Sequence, residues 1–267
     1  MIETRQGQSA SRLGFASQYT QDATCIRAAF EAGINYFFDY QLPQEALRLE
    51  LKSLLATNRE AIIYTFGSES RSVGTLRQQL DEVRQQLDIN WVDIFFLEYL
   101  SPADDGDEIK AAIAELNDWK AQGLICYVGV TTHHRPTGIA ALEQRSCDVL
   151  MHRYNMAHRK AEDTLFPAAQ AAKIPVVAFT ATRWGTLLSK HPARLDSSPT
   201  AAECYRFALH HPAVAVALTS PANRAQLAEN VQVLHQPPLN PEEIARWQAY
   251  GDWLYGDGQS KFETLYL

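Results

Sequence analysis

The apolar positions of this chain fall into two alternating kinds of segment. Short β-rich runs occur at residues 13–16, 35–38, 61–65, 92–97, 125–130, 148–152, 176–179 and 214–218. Between them lie stretches with helical spacing, at 23–32, 44–55, 73–87, 108–122, 139–144, 162–173, 201–210 and 223–234. In the third of these, Leu76, Leu80, Val83 and Leu87 form one apolar stripe with charges on the opposite face. Runs such as 92–97 are continuously apolar, the pattern of a strand buried on both faces in a parallel sheet covered by helices. An open doubly wound sheet usually carries a Gly-rich first turn, and no GxGxxG occurs here. The alternation therefore predicts an α/β fold, a closed (β/α)₈ TIM barrel forming a single domain over 1–267. A C-terminal extension, 237–267, begins at Pro237-Pro238 and contains one more helix around 241–255, expected to pack over one mouth of the barrel.

Composition narrows the partners. The 267 residues are 46% hydrophobic and 21% charged, ordinary for a globular protein with a full core. A net charge of −7 argues against nucleic acid or an anionic membrane surface as partner and leaves a small-molecule substrate as the expectation. No segment approaches the roughly 18 uncharged apolar residues of a membrane span, and the polar stretch from Met1 to Arg12 has no apolar secretory core. Cys25, Cys126, Cys147 and Cys204 are scattered without a CxxC pair, which reads as reduced thiols in a cytoplasmic protein. Oligomeric state is not encoded in any of these features.

In a barrel of this kind the chemistry lies where strands end and βα loops begin. That rule selects Ser17 and Gln18, Asp39 and Tyr40, Phe66, Glu98 and Tyr99, Thr131 to His134, Met151 to Arg153, Thr180 to Gly185, and the stretch from Ser220 to Asn230. Ser220-Pro221 has the form of a helix start, with serine as cap and proline in the first turn. With Arg224 one turn in, this end suits a phosphate; it equally suits a plain capped helix with a solvated arginine.

Several segments, in order, resemble the aldo-keto reductases. Arg12-Leu13-Gly14-Phe15 is similar to that family's opening strand, and Ala32-Gly33-Ile34-Asn35-Tyr36-Phe37 to its approach to the second strand. Gly123 through Val130 resembles the stretch at strand five, and Tyr154-Asn155 the pair after strand six. Ala178-Phe179-Thr180-Ala181, continuing through Gly185 and Leu187, resembles the segment that wraps the cofactor diphosphate. Gln226-Leu227-Ala228-Glu229-Asn230 resembles the one near the adenosine end. The resemblance implies NADP as cofactor and hydride transfer to a small carbonyl or unsaturated, possibly carboxylate-bearing, substrate. It also implies cofactor contacts from Ser17, Thr131, Thr132, Thr180, Thr182, Arg183, Gly185, Ser220, Arg224, Gln226 and Asn230.

The catalytic tetrad implied by the resemblance (Asp, Tyr, Lys and His) carries over badly. Thr65-Phe66 stands where the lysine ends strand three, and Glu98 where the histidine ends strand four. No tyrosine has the family's spacing after strand two; Tyr40, Tyr64 and Tyr19 lie near the mouth and either supply a phenol or pack. Asp39 falls six residues after Gly33 where the family places it five, so alternation leaves its face open unless a bulge intervenes. Strand parity turns Glu98, Met151 and Arg153 inward. Glu98 with Arg153 then makes either a structural ion pair or an acid/base carboxylate with an anion clamp. In some relatives a Glu at the histidine position accompanies reduction of carbon–carbon double bonds. His133-His134, His152 and Glu98 cluster near strand ends, but no HxH or HxxxH spacing supports a metal, and none is expected. The sequence-level candidates for catalysis are thus Asp39, Tyr40, Glu98 and Arg153. They serve a divergent NADP-dependent oxidoreductase or, alternatively, a non-redox lyase, dehydratase or isomerase using Glu98. A catalytically silent binding protein on the same barrel is the remaining alternative.

Overall fold

The computed structural model describes residues 1–190 and 198–257. Eight parallel strands close into a barrel in chain order: β1 (Leu13–Ala16), β2 (Tyr36–Asp39), β3 (Ile63–Ser68), β4 (Val92–Leu97), β5 (Ile125–Thr132), β6 (Val149–Arg153), β7 (Val176–Phe179) and β8 (Val214–Thr219), with β8 pairing back onto β1. Helices α1 (Thr24–Glu31), α2 (Glu45–Asn58), α3 (Val73–Leu87), α4 (Gly106–Ala121), α5 (Arg135–Glu143), α6 (Leu165–Ala172), α7 (Ala201–His210) and α8 (Arg224–Asn230) follow the strands in turn, and α9 (Pro241–Tyr255) ends the described chain. The architecture is the (β/α)₈ barrel that the alternation predicts. No helix among the described residues is long and apolar enough to cross a membrane.

Strand alternation divides the apolar residues into two cores. Tyr36, Phe38, Ile63, Ile94, Phe96, Val149, Met151, Val177, Val216 and Leu218 fill the barrel interior. Their strand neighbours Phe15, Phe37, Tyr64, Phe66, Phe95, Leu97 and Leu150 face the helices. The α3 stripe Leu76, Leu80, Val83 and Leu87 is wholly buried in that outer layer. Ile2 joins the interior core, and a bridge between Glu3 and Ser9 with Tyr127 donating to the Glu3 carbonyl (3.2 Å) holds this N-terminal turn across the amino ends of the strands.

Beneath the helix layer lies one buried ion pair. Arg59 Nη2 donates to Asp93 Oδ2 at 2.7 Å, the Tyr64 amide donates to the same oxygen at 2.9 Å, and the Trp91 indole to Oδ1 at 3.2 Å. Asp93 ties β3 to β4 at the end opposite the βα loops, away from any substrate.

Helix α9 spans the helix expected in the tail, and it packs on the loops after β6 and β7. Tyr250 donates to the Leu187 carbonyl at 3.0 Å, and Gly251 presses so close to Met156 that an added Cβ would sit 1.8 Å from its carbonyl oxygen. The rest of the expected extension, 258–267, lies outside the described residues.

Candidate functional site

The carboxyl ends of the strands open into a cleft of about 890 Å³, a size typical of small-molecule and cofactor sites. Its floor is built from inward strand-end residues: Ala16, Phe38, Glu98, Thr131, Met151, Phe179 and Leu218. From there it runs outward past Thr180, Thr182, Trp184 and Gly185 of the loop after β7 to a rim formed by Ser220, Ala222, Gln226, Glu229 and Asn230. The β1 and β8 loops are sewn together along one wall. The Tyr19 amide donates to Ser220 Oγ (2.8 Å), Thr20 Oγ1 to the Pro221 carbonyl (2.8 Å), and the Gln21 amide to the Ala222 carbonyl (3.2 Å).

Glu98 dominates the floor. Only 1% of its surface is exposed, and its Oε1 has no hydrogen-bond partner among the described residues. Burial drives its pKa well above the ordinary carboxylate value; nearby Glu69 adds to the rise and Arg71 opposes it. Burial therefore favours its protonated, acid form. Room for it is made by Gly67 on β3: a Cβ there would lie 1.8 Å from Glu98 Oε1 and 2.5 Å from its Cδ. Gly67, rather than Thr65 or Phe66, is thus the strand-three residue under the Glu98 carboxyl, while Phe66 faces the helices.

Two phenols stand over this floor. Tyr40 and Tyr99 both line the cleft, with ring centroids 5.8 Å apart. Tyr99 is held in the left-handed region (φ 52°), its amide donating to Thr131 Oγ1 at 2.7 Å. That uncommon backbone swings the ring back onto His133, stacked at 5.4 Å and 11°. Burial, with the charge of Arg153, lowers the His133 pKa to about 4, so the imidazole is neutral. Tyr99, His133 and Trp184 fall among the strand-end and loop residues marked from sequence but received no catalytic or cofactor role there, and Phe38 was not marked at all. A left-handed strand end leaves no mark in composition or spacing.

Asp39 is corrected. Pairing of β2 with β1 and β3 runs without a bulge through Phe38 and Asp39, so Phe38 takes the inward position and Asp39 faces the helices. There it is buried, accepting hydrogen bonds from the hydroxyls of Ser17 and Tyr64. Burial raises its pKa to about 6 against the lowering effect of those two donors. Ser17, expected at the cofactor, and Tyr64 are consumed in this network and do not line the cleft.

Arg153 is corrected as well. It opens into a second cavity of about 560 Å³, beside Arg135, His152, His158 and Arg159, and not into the cleft that holds Glu98. The charges acting on Glu98 are Glu69 and Arg71, so the expected Glu98–Arg153 pair does not form. Only His133 among these charged or titratable residues borders both cavities. His152 faces outward, its Nδ1 2.6 Å from the Thr132 carbonyl oxygen, away from Glu98.

Of the expected cofactor contacts, Thr131, Thr180, Thr182, Gly185, Ser220, Gln226 and Asn230 line the cleft. Thr132 does not: its hydroxyl donates to the Leu100 carbonyl at 2.6 Å inside the loop. Arg183 is buried, with Nη1 donating to the Leu254 carbonyl of α9 at 3.4 Å. Helix α8 begins later than expected: its cap is Asn223, whose side chain accepts from the Gln226 amide, and not Ser220. Arg224 consequently points toward α1, donating to the Thr24 carbonyl at 3.3 Å.

A closed eight-stranded α/β barrel with a deep cleft at the carboxyl ends of its strands defines an enzyme-type scaffold. A sequence model of the Aldo/keto reductase family matches residues 9–200, and the chain belongs to that family. No curated protein matches the sequence. Among solved structures, the aldo-keto reductase AKR11C1 from Bacillus halodurans in its holo form superposes with a TM-score of 0.78 at 22% identity, over 94% of this chain and 96% of that one. Its apo form gives 0.74 with the same identity and coverage. An aldo/keto reductase from Klebsiella pneumoniae, solved in complex with NADP and acetate, gives 0.78 at 16% identity, over 94% and 95% of the two chains.

Proposed function

We propose that this protein is a nicotinamide-dependent oxidoreductase in which the protonated Glu98 carboxyl is the proton donor to a small carbonyl or unsaturated substrate. The observation that carries the reading is a buried carboxyl with an unpartnered oxygen, packed against Gly67 in the lining of the family's cleft. The cleft's volume suits a dinucleotide. Thr180, Thr182, Gly185, Ser220, Gln226 and Asn230 are the residues that would hold it, and Thr131 offers a hydroxyl oxygen at the floor. A reduced nicotinamide, when bound, supplies hydride. The Glu98 carboxyl supplies the proton that completes the reduction, and the low dielectric that favours its acid form strengthens its hydrogen bond to a developing oxyanion. Phe38, Met151, Phe179 and Leu218 exclude water from that floor, and Tyr40 and Tyr99 fit the planar face of a small substrate.

A cofactor-free lyase, dehydratase or isomerase is disfavoured by the same geometry. Such a reaction opens with proton abstraction, for which a resting carboxylic acid has no free base, and its expected anchor Arg153 lines the other cavity. The test is steady-state reduction of small aldehydes, ketones and α,β-unsaturated carbonyls by the full chain with NADH and NADPH. Glu98→Gln is expected to lower turnover about 10²–10⁴-fold, the usual weight of a general acid, while still binding cofactor. Because the acid form is the active one, wild-type turnover falls as pH rises through the elevated Glu98 pKa, and that limb is absent from the variant. Undiminished turnover in Glu98→Gln, or turnover without nicotinamide, refutes the assignment.

A further inference from the structure

We infer that Arg71, clamped to Asp104 across the loops that follow β3 and β4, is a positioning residue that sets how readily the Glu98 carboxyl gives up its proton. This rests on the reading of Glu98 as the proton donor and adds to it the group that tunes the donor. The Glu98 amide donates to the Ser68 carbonyl at 2.8 Å, and its carboxyl fills the space that Gly67 leaves. The chain leaving β3 therefore runs past Glu98 as Glu69-Ser70-Arg71 before Ser72 caps α3. Arg71 turns back over this loop. Its Nη1 donates to the Glu69 carbonyl at 2.9 Å and its Nη2 to Asp104 Oδ2 at 3.0 Å, an oxygen that also accepts the Ser101 amide at 2.8 Å.

The bridge joins the two loops on either side of Glu98, outside the lining of the cleft, so neither partner touches a substrate there. The Arg71 side chain is only 12% exposed, and its Nε is buried with no hydrogen-bond partner among the described residues. A guanidinium held in low dielectric acts on a neighbouring carboxyl more strongly than one in water. Burial pushes the Glu98 pKa up, Glu69 adds to the rise, and Arg71 draws it back. The ends of β2, β4 and β5 add Tyr40, Tyr99 and the neutral His133 to the cleft, and Glu229 stands at the outer rim. A pair that merely pinned two loops would loosen the floor alike whichever member was removed. A pair that acts through charge moves Glu98 in opposite directions: loss of the cation disfavours its ionised form, and loss of the Asp104 carboxylate leaves the cation unopposed.

The experiment reads the Glu98 titration without relying on turnover. Unfolding free energy is measured against pH for the full chain and for Glu98→Gln, and the difference isolates Glu98. Because its folded-state pKa lies above the unfolded one, the stability it contributes is full at low pH and is lost as pH rises, levelling off at the folded pKa. The same pair of measurements is then made in the Arg71→Met, Asp104→Asn and Glu69→Gln backgrounds. The levelling-off point is expected to move up by about one pH unit in Arg71→Met and down by a similar amount in Asp104→Asn. Glu69→Gln, at an exposed position that does not endanger the fold, is expected to move it down by less, since water screens that charge. The pH at which turnover falls is expected to follow the same order. Shifts in the same direction for Arg71→Met and Asp104→Asn, or a point that fails to rise in Arg71→Met, overturn the inference while leaving Glu98 as the proton donor. Undiminished turnover in Glu98→Gln overturns both.

Discussion

Replacing Asp39 by asparagine separates a structural carboxylate from a catalytic one and carries a magnitude that the structure sets. The carboxyl is 2% exposed, facing the helix layer and held by the Ser17 and Tyr64 hydroxyls. Burial lifts its pKa from 3.8 in an unperturbed carboxyl to about 6. A folded-state pKa above the unfolded one means that the fold prefers the protonated form. The stabilisation is complete below about 3.8 and is lost as pH rises through about 6. With each pKa unit equivalent to about 1.4 kcal/mol, the whole effect is about 3 kcal/mol, of which about 2–3 kcal/mol is lost between pH 4 and pH 8. Asparagine does not titrate, and its amide meets the same two hydroxyls, which both donate and accept. Subtracting the unfolding free energies of wild type and Asp39→Asn, measured by urea denaturation at a series of pH values, cancels every other titrating group. The difference is expected to shift by about 2–3 kcal/mol in favour of asparagine between pH 4 and pH 8, with most of the change between pH 4 and pH 6. Turnover is expected to survive, since the side chain lies outside the cleft. Parallel stability curves for the two proteins refute the burial argument, and a loss of turnover comparable to that of Glu98→Gln refutes the outward placement.

Two further substitutions probe the site's support and the barrel's frame. Gly67→Ala puts a methyl group where the Glu98 carboxyl lies, 1.8 Å from Oε1; the side chain's flexible end gives way rather than the backbone. Turnover is therefore expected to fall on the order of 10²-fold with the melting temperature nearly unchanged, checked by kinetics alongside thermal denaturation. Asp93→Ala strips the partner from Arg59, whose side chain is only 13% exposed, and leaves a buried charge uncompensated. A loss of about 3–5 kcal/mol in urea unfolding is expected, and a loss below about 1 kcal/mol contradicts the buried pairing.

How far the sequence spoke depended on whether the answer was periodic. Strands β1, β4 and β7 and helices α3, α7 and α9 coincide with the segments that apolar spacing marks, because burial against two layers imposes a period that a one-dimensional pattern records. Glu98 was legible for the same reason, at the inward parity of a regular strand. Asp39 was not, because its face turns on whether β2 carries a bulge, and a bulge is a property of the pairing rather than of the residues 33–39. Arg224 failed differently. Its helix starts at an Asn223 cap and not at Ser220, a shift of three positions that redirects a long exposed side chain from the cleft to α1. Tyr99 depended on a left-handed backbone that nothing but the folded loop dictates.

The misplacement of Arg153 is the most instructive, because parity was right about its strand and silent about its cavity. Had the guanidinium reached Glu98, it would have held the carboxyl ionised, lowering its pKa by about one to three units. The cleft would then contain a carboxylate unable to give up a proton. Instead the cations Arg135, Arg153, Arg159 and Lys160 gather in the second cavity opposite Glu162, Asp163, Asp252 and Asp257. Between them and Glu98 stands His133, neutral and stacked on Tyr99. That partition keeps these cations out of the cleft, where burial raises the pKa of the Glu98 carboxyl. The raised pKa of this carboxyl comes first from burial and then from the neighbouring Glu69. Any substitution that admits water or a cation to the floor of the cleft is therefore expected to lower the Glu98 pKa and the rate together.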